Sequence, residues 1–161
     1  MPGRLYIQET DWQGVTAVQD LLELPVPSTC SLLIHGIFVD QVSDYTAADA
    51  EKLKVHLKKG IGATSGSGGT GSLTPEKYGG TWLPTCPITT AERNNTTQAT
   101  AGGGSLTVLK RFAWDVLSGL EYVPIPELRV LYAPSELVVL SLETAPADSL
   151  TVNAAILFEL L

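Results

Sequence analysis

Glu51 to Lys59 reads EKLKVHLKK, and the period of this stretch decides the fold. Leu53, Val55 and Leu57 fall on one side of an extended chain, while Lys52, Lys54, His56 and Lys58 fall on the other. Successive side chains of a strand point to opposite faces, so the pattern predicts a strand with one buried and one solvated face. The lysine stripe suits the solvated face, where it also discourages edge-to-edge pairing. A partner with an acidic surface is the alternative use for it.

Working outward towards the N-terminus, Gln41 to Asp49 reads as a turn or a single helical turn. Cys30 to Val39 (CSLLIHGIFV) is apolar, short and β-branched, which predicts a central strand covered on both faces. His35 inside it is expected as a hydrogen-bonded core residue rather than a ligand. Val15 to Leu24 is a further strand, ended by Pro25-Val26-Pro27, where proline removes ladder donors. Residues 1–14 form a first strand around Arg4 to Glu9, or an arm. Trp12 then either lies over the edge of the core or reaches a partner.

Towards the C-terminus, Leu106 to Leu117 mixes a helical stripe with the strand-favouring Val108, Phe112 and Trp114. Its extended neighbours tip it to strand. Leu120 to Val123 is a short strand closed by Pro124-Ile125-Pro126, and Glu127 to Tyr132 reads as a connection. Glu136 to Glu143 and Leu150 to Leu160 are two apolar strands joined by a turn at Ala145 to Ser149, which predicts a hairpin. Eight or so short strands with turn signals between them predict an all-β protein. The expected form is an antiparallel β-sandwich with jelly-roll topology, forming one domain over residues 15–161.

Between the halves lies Gly60 to Gly104, which holds eleven of the fifteen glycines. Glycine loses more entropy on ordering than any other residue, so Gly66-Ser67-Gly68-Gly69-Thr70-Gly71 cannot fix its own shape. Tyr78, Trp82, Leu83 and Ile88 sit within it, and large apolar side chains are unusual in a linker. The segment is expected as a long surface loop ordered against its own domain or a neighbouring chain. Pro84 to Ala91 can add one short edge strand, and Arg93 to Gln98 reads as polar turn chemistry. Asn94 and Asn95 lie in N-x-T sequons but serve more simply as Asx-turn residues.

The chain has 161 residues, 44% hydrophobic and 17% charged, with a formal charge of −7 from 10 basic and 17 acidic residues. That balance opposes nucleic-acid binding, which needs a basic face. No apolar run reaches the roughly 20 residues of a membrane span. With no signal-peptide h-region at the start, synthesis and folding in a cytosol are expected. Cys30 and Cys86 could pair, but two free thiols are expected in a reducing compartment.

Catalytic chemistry has little to work with. His35 and His56 are the available imidazoles, and neither lies in a nucleophile-and-base motif. Zinc-type clustering of Cys and His is missing, and Asp44 and Asp49 flank a turn without forming a calcium loop. The glycine-rich run lacks the Gly-Lys-Ser/Thr of a phosphate loop. The reading is of a protein with no catalytic residues, no metal and no cofactor.

Several phrases carry a resemblance. They are Val15 to Leu21 (VTAVQDL), Thr64 to Thr70 (TSGSGGT), Asn94 to Thr100 (NNTTQAT), and Ala145 to Thr151 (APADSLT) followed by Leu157-Phe158-Glu159. In this order they resemble a family of small virion structural proteins of tailed bacteriophages and prophages. Tyr78 to Pro87 (YGGTWLPTCP) departs from the plainer proline-rich stretch expected there. The resemblance implies a virion location after synthesis in the host cytoplasm. Within that context the expected role is a capsid decoration (cement) protein that trimerises and binds the major capsid protein. It would do so without nucleic acid or membrane. Trp12, Tyr78, Trp82 and Leu83 are then the candidate interface residues. The rival class is a receptor- or carbohydrate-binding module of a tail fibre or baseplate.

Overall fold

The computed structural model describes residues 4–44, 50–80 and 82–161. Among them, thirteen strands form two antiparallel sheets: β1 Arg4–Glu9, β2 Gln13–Val15, β3 Gln19–Pro25, β4 Leu32–Gln41, β5 Lys52–Ile61, β6 Thr70–Leu73, β7 Glu76–Lys77, β8 Ala91–Asn95, β9 Ser105–Asp115, β10 Leu120–Tyr122, β11 Leu131–Tyr132, β12 Glu136–Leu142 and β13 Leu150–Leu160. Sheet A runs β10-β4-β13-β1-β7, with β11 on β4 and β2 on β13, and sheet B runs β6-β8-β3-β12-β5-β9. The antiparallel sandwich expected from the sequence is found, with more strands than the eight or so anticipated.

The core lies between the sheets. Leu53, Val55 and Leu57 of β5, Leu22 and Leu24 of β3, and Val138, Leu140 and Leu142 of β12 face Tyr6, Ile34, Ile37, Val39, Ile156 and Phe158 across it. Tyr6 and Phe158 stack as a tilted pair with centroids 5.9 Å apart. β-Branched and leucine side chains at every second position make each sheet apolar on one face, which is what drives two sheets together.

Several expectations are corrected. Residues 4–9 take the first-strand alternative rather than the arm: β1 pairs with β13 from Arg4↔Leu160 to Glu9↔Ala155 and with β7 at Tyr6↔Lys77. The predicted C-terminal hairpin does not form. β12 pairs with β3 and β5 in sheet B, while β13 pairs with β1, β2 and β4 in sheet A. Both strands have an apolar face to bury, and a short connection serves a jump between sheets as well as a hairpin. β4 is covered on one face only; its other face leaves Leu33, His35 and Phe38 half-buried. The turn expected from Gln41 to Asp49 lies partly outside the described residues.

Residues 60–104 are not one loop. They supply β6, β7 and β8, and the strand falls at Ala91–Asn95, where polar turn chemistry was expected, rather than at Pro84 to Ala91. Asn94 adopts a φ of 55°, a conformation that asparagine tolerates better than most residues, so the strand survives a kink there.

Candidate functional site

The outer face of sheet B is covered by a ribbon from the glycine-rich segment. Thr64 pairs with Thr100 and Ser67 with Thr97 in antiparallel bridges, each closed by two backbone hydrogen bonds of 2.9 to 3.0 Å. Ala99 on the ribbon packs on Leu137 and Val139 of β12, with Ala63 and Leu106 at the margin, as a small second core. A Cβ on Gly66 would lie 2.3 Å from the Thr97 carbonyl oxygen and 2.6 Å from Glu23 Oε1. Only glycine lets the ribbon come this close. The segment is therefore ordered by its own domain, one of the two outcomes expected for it.

Beneath the ribbon are two carboxyl groups. Asp20 and Glu23 are each 1% exposed. The Ala99 N–H donates to Asp20 Oδ2 at 2.5 Å, and the Gly66 N–H donates to both Glu23 oxygens at 2.9 and 3.1 Å. Asn95 Nδ2 donates to Glu23 Oε1 at 2.7 Å and to Glu92 Oε2 at 2.6 Å. Gln98 bridges Asp20 and Glu143 at 3.4 and 3.3 Å. Burial pushes the Asp20 carboxyl up to about 7, against the Ala99 N–H and with help from neighbouring Glu23. Burial also raises Glu23, opposed by Asn95 and Gly66. The negative charge of Glu23 adds to the effect of burial on Asp20, so ionising both carboxyls together is disfavoured.

Lys58 brings a cation into this cluster. Its Nζ lies 2.5 Å from Glu143 Oε1, and Lys58 is 9% exposed. This corrects the reading of the lysine stripe: Lys52 and Lys54 are solvated, but Lys58 is buried under the ribbon. Burial alone would raise Glu143, yet the Lys58 ammonium and the Ser141 hydroxyl outweigh it and hold the group below the usual carboxylate range. The cluster seals a covering element to its sheet. It offers no solvent-open acid and base for turnover.

The other chemistry-bearing residues are apart. His35 is half-buried on the outer face of sheet A, not in the core, with Nε2 2.9 Å from Glu159 Oε2. His56 lies on sheet B, where burial lowers its pKa. Cys30 and Cys86 are not bonded to each other. Burial pushes the Cys86 thiol up to about 11, which suppresses the reactive thiolate. Among the described residues, no three His, Cys, Asp or Glu side chains are placed to hold a metal ion, and no helix is long and apolar enough to cross a membrane.

Of the predicted interface residues, Tyr78 and Trp82 are exposed in one loop, Trp82 at 69%. Tyr78 N–H donates to Leu5 O at 3.0 Å, and Tyr6 Oη donates to Pro84 O at 3.0 Å, which pins both ends of that loop against β1. Trp12 is exposed on a separate turn beside Asp11, whose carboxylate lies 2.5 Å from Arg93. Leu83, at 3% exposure, is buried beneath the Tyr78–Trp82 loop rather than displayed on it, and its N–H donates to Gly80 O at 3.0 Å.

A second surface was missed from the sequence. Val123, Ile125, Leu128 and Leu131 are each at least half exposed along β10, the 3-10 turn Pro126–Leu128 and β11. Leu109 and Leu117 stand exposed at neighbouring β9. β9 and β10 border one side of the sandwich, joined by Phe112 and Tyr122 with rings 5.2 Å apart. The signal was VPIPEL itself: a proline-fixed turn that places apolar residues where a connection usually places polar ones.

No protein-family model and no curated protein matches the chain. Two solved structures show slight likeness. One is a mutant VP2 protein of infectious bursal disease virus in derived T=1 particles, 14% identical with a TM-score of 0.25, covering 99% of this chain and 40% of that one. The other is infectious bursal disease virus, Gx strain, 14% identical with a TM-score of 0.23, covering 100% and 42%. The chain thus spans about two fifths of those proteins. Scores this low carry no inference.

Proposed function

We propose that this chain is a virion structural protein, a capsid decoration protein that binds the outer surface of the head lattice and stabilises capsomer contacts. The observation that carries the reading is how its groups are distributed. Titratable groups are sealed beneath the ribbon or scattered, while large apolar side chains stand exposed on the two sides of a sandwich. Such a protein works by buried surface rather than turnover, with roughly 800 Å² per partner sufficient for stable docking. The resemblance to phage virion proteins supplies the context, and the major capsid protein is the partner it implies.

The second reading is a receptor- or carbohydrate-binding module of a tail fibre or baseplate. Tyr78 and Trp82, exposed in one loop, favour it, since aromatic rings stack on sugars. Cryo-electron microscopy of particles separates the two. Density over the head lattice supports decoration, and density at the tail tip supports the binder. Deleting the gene gives a functional readout: heads that burst on heating support decoration, whereas intact heads that fail to adsorb support the rival.

A further inference from the structure

We infer that a cleft between β2 and β8 is a binding site for one neutral sugar ring. The site goes beyond both roles above and uses residues separate from the Tyr78–Trp82 loop.

The cleft has a volume of about 250 Å³ and lies between β2 of sheet A and the β6-β8-β3 end of sheet B. Gln13 of β2, Gln19 of β3, Asn94 of β8, Thr70 of β6 and Thr96 supply its side chains, and glycine backbone supplies the rest. None of these side chains is charged or wholly apolar. The charged residues beside them in the chain are engaged elsewhere, Arg93 with Asp11 and Asp20 with the Ala99 N–H.

Much of this hydrogen-bonding capacity is unused. Gln19 Nε2 donates to Asn94 Oδ1, and Asn94 Nδ2 to Thr10 O, both at 3.4 Å, beyond the roughly 2.7 to 3.2 Å of a full hydrogen bond. An amide carries more donors and lone pairs than those contacts use, so Asn94 keeps both a donor and an acceptor in reserve. Gln19 Oε1 and the side chains of Gln13, Thr70 and Thr96 have no hydrogen-bond partner among the described residues. Gln19 is only 5% exposed, so the cleft is the route by which a donor reaches it.

The walls are fixed in place. Thr10 N–H donates to Ala154 O at 2.9 Å and its Oγ1 accepts from the Ala154 N–H at 2.8 Å, which anchors the carbonyl that holds Asn94. Gly68 has a φ of 87°, and a Cβ on it would lie 2.4 Å from Thr96 Oγ1, so glycine leaves that hydroxyl uncrowded.

The lining selects the ligand. A phosphate calls for a cation and a metal ion for carboxylates, and the walls hold neither. An apolar molecule would leave the amides unpaired. A sugar ring carries adjacent hydroxyls that each donate and accept, which matches amides holding both kinds of group in reserve. The volume falls below the roughly 300 Å³ of pockets for drug-sized ligands, so it suits one ring rather than a chain.

The test titrates the nitrogen-15-labelled chain with glucose, galactose and mannose, each as the free sugar and as its methyl glycoside, and follows the side-chain amide resonances by NMR. At least one sugar is expected to shift Gln19 and Asn94 saturably. Asn94→Gly keeps the left-handed backbone while removing the amide, and Thr96→Val removes an exposed hydroxyl; each is expected to bind about tenfold more weakly. Tyr78→Ser with Trp82→Ser is expected to bind as the wild type does. A response to the glycoside shows that the ring is accepted from a glycan, whereas a response to the free sugar alone makes the free sugar the ligand. Saturable shifts with none of these sugars, equal shifts with inorganic phosphate, unchanged affinity in both cleft variants, or binding lost with Tyr78 and Trp82 would each overturn the site.

Discussion

Asp20 and Glu23, three residues apart in β3, lie on the same outer face of sheet B because Leu21 is a bulge. Leu140 of β12 pairs with Leu22 and Ser141 with Asp20, leaving Leu21 as the extra residue. In a regular strand, residues three apart point to opposite faces, so without the bulge one carboxyl would enter the core. With it, Leu21 remains buried among apolar neighbours and both acids meet the ribbon.

That pairing sets a pH dependence. Asp20 is raised from 3.8 to about 7, so its contribution to stability is fully present below 3.8 and lost as pH rises through about 7. Holding one extra proton in the folded state gives a slope of about 1.4 kcal/mol per pH unit in that window. Raised Glu23 acts in the same sense. Lowered Glu143 acts oppositely, its contribution being lost as pH falls through its folded value. Urea midpoints measured from pH 4 to 8 are expected to fall towards the alkaline end, with Asp20→Asn flattening the fall. An unchanged slope in Asp20→Asn would reject the assignment.

Gly66→Ala is expected to destabilise by about 1 to 3 kcal/mol through overpacking against Thr97 and Glu23. Hydrogen exchange should localise the damage: the Ala99 amide, donated to Asp20, loses protection before the β12 amides do. Equal loss throughout would mean that the ribbon and sheet unfold as one.

Lys58→Met leaves Glu143 without its cation on a largely covered face. A loss of about 1 to 3 kcal/mol is expected, partly restored by adding Glu143→Gln, because the cost lies in the stranded charge. A double-mutant cycle by urea denaturation measures the coupling, and additivity of the two changes would refute it.

Tyr132→Phe removes a buried hydroxyl that donates to the Lys58 carbonyl at 3.0 Å and links β11 to β5. Thermal unfolding is expected to show a loss of about 1 to 1.5 kcal/mol. No loss would mean that the carbonyl finds another donor.

The alternation of Lys52 to Lys59 was legible because one face of β5 is buried throughout, so period two survives. The sandwich followed from it. The burial of Lys58 was not legible, since it depends on a ribbon about 40 residues further along the chain folding back over the sheet. The bulge at Leu21 was likewise hidden: QDLLEL looks the same whether Asp20 and Glu23 share a face or not. Among the interface candidates, Tyr78, Trp82 and Leu83 are alike in sequence, and the backbone bond from Leu83 to Gly80 separates the buried residue from the exposed ones. The aliphatic side went unread because Glu127 to Tyr132 has no period to mark it.

The pairing of β13 with β1, β2 and β4 has a consequence for biosynthesis. A ribosome delivers β1 and β4 long before their shared neighbour, so sheet A stays incomplete until β13 emerges. Until then the apolar inner faces of both sheets lie open to chaperones and proteases, and a product cut short before β13 would be cleared rather than accumulate.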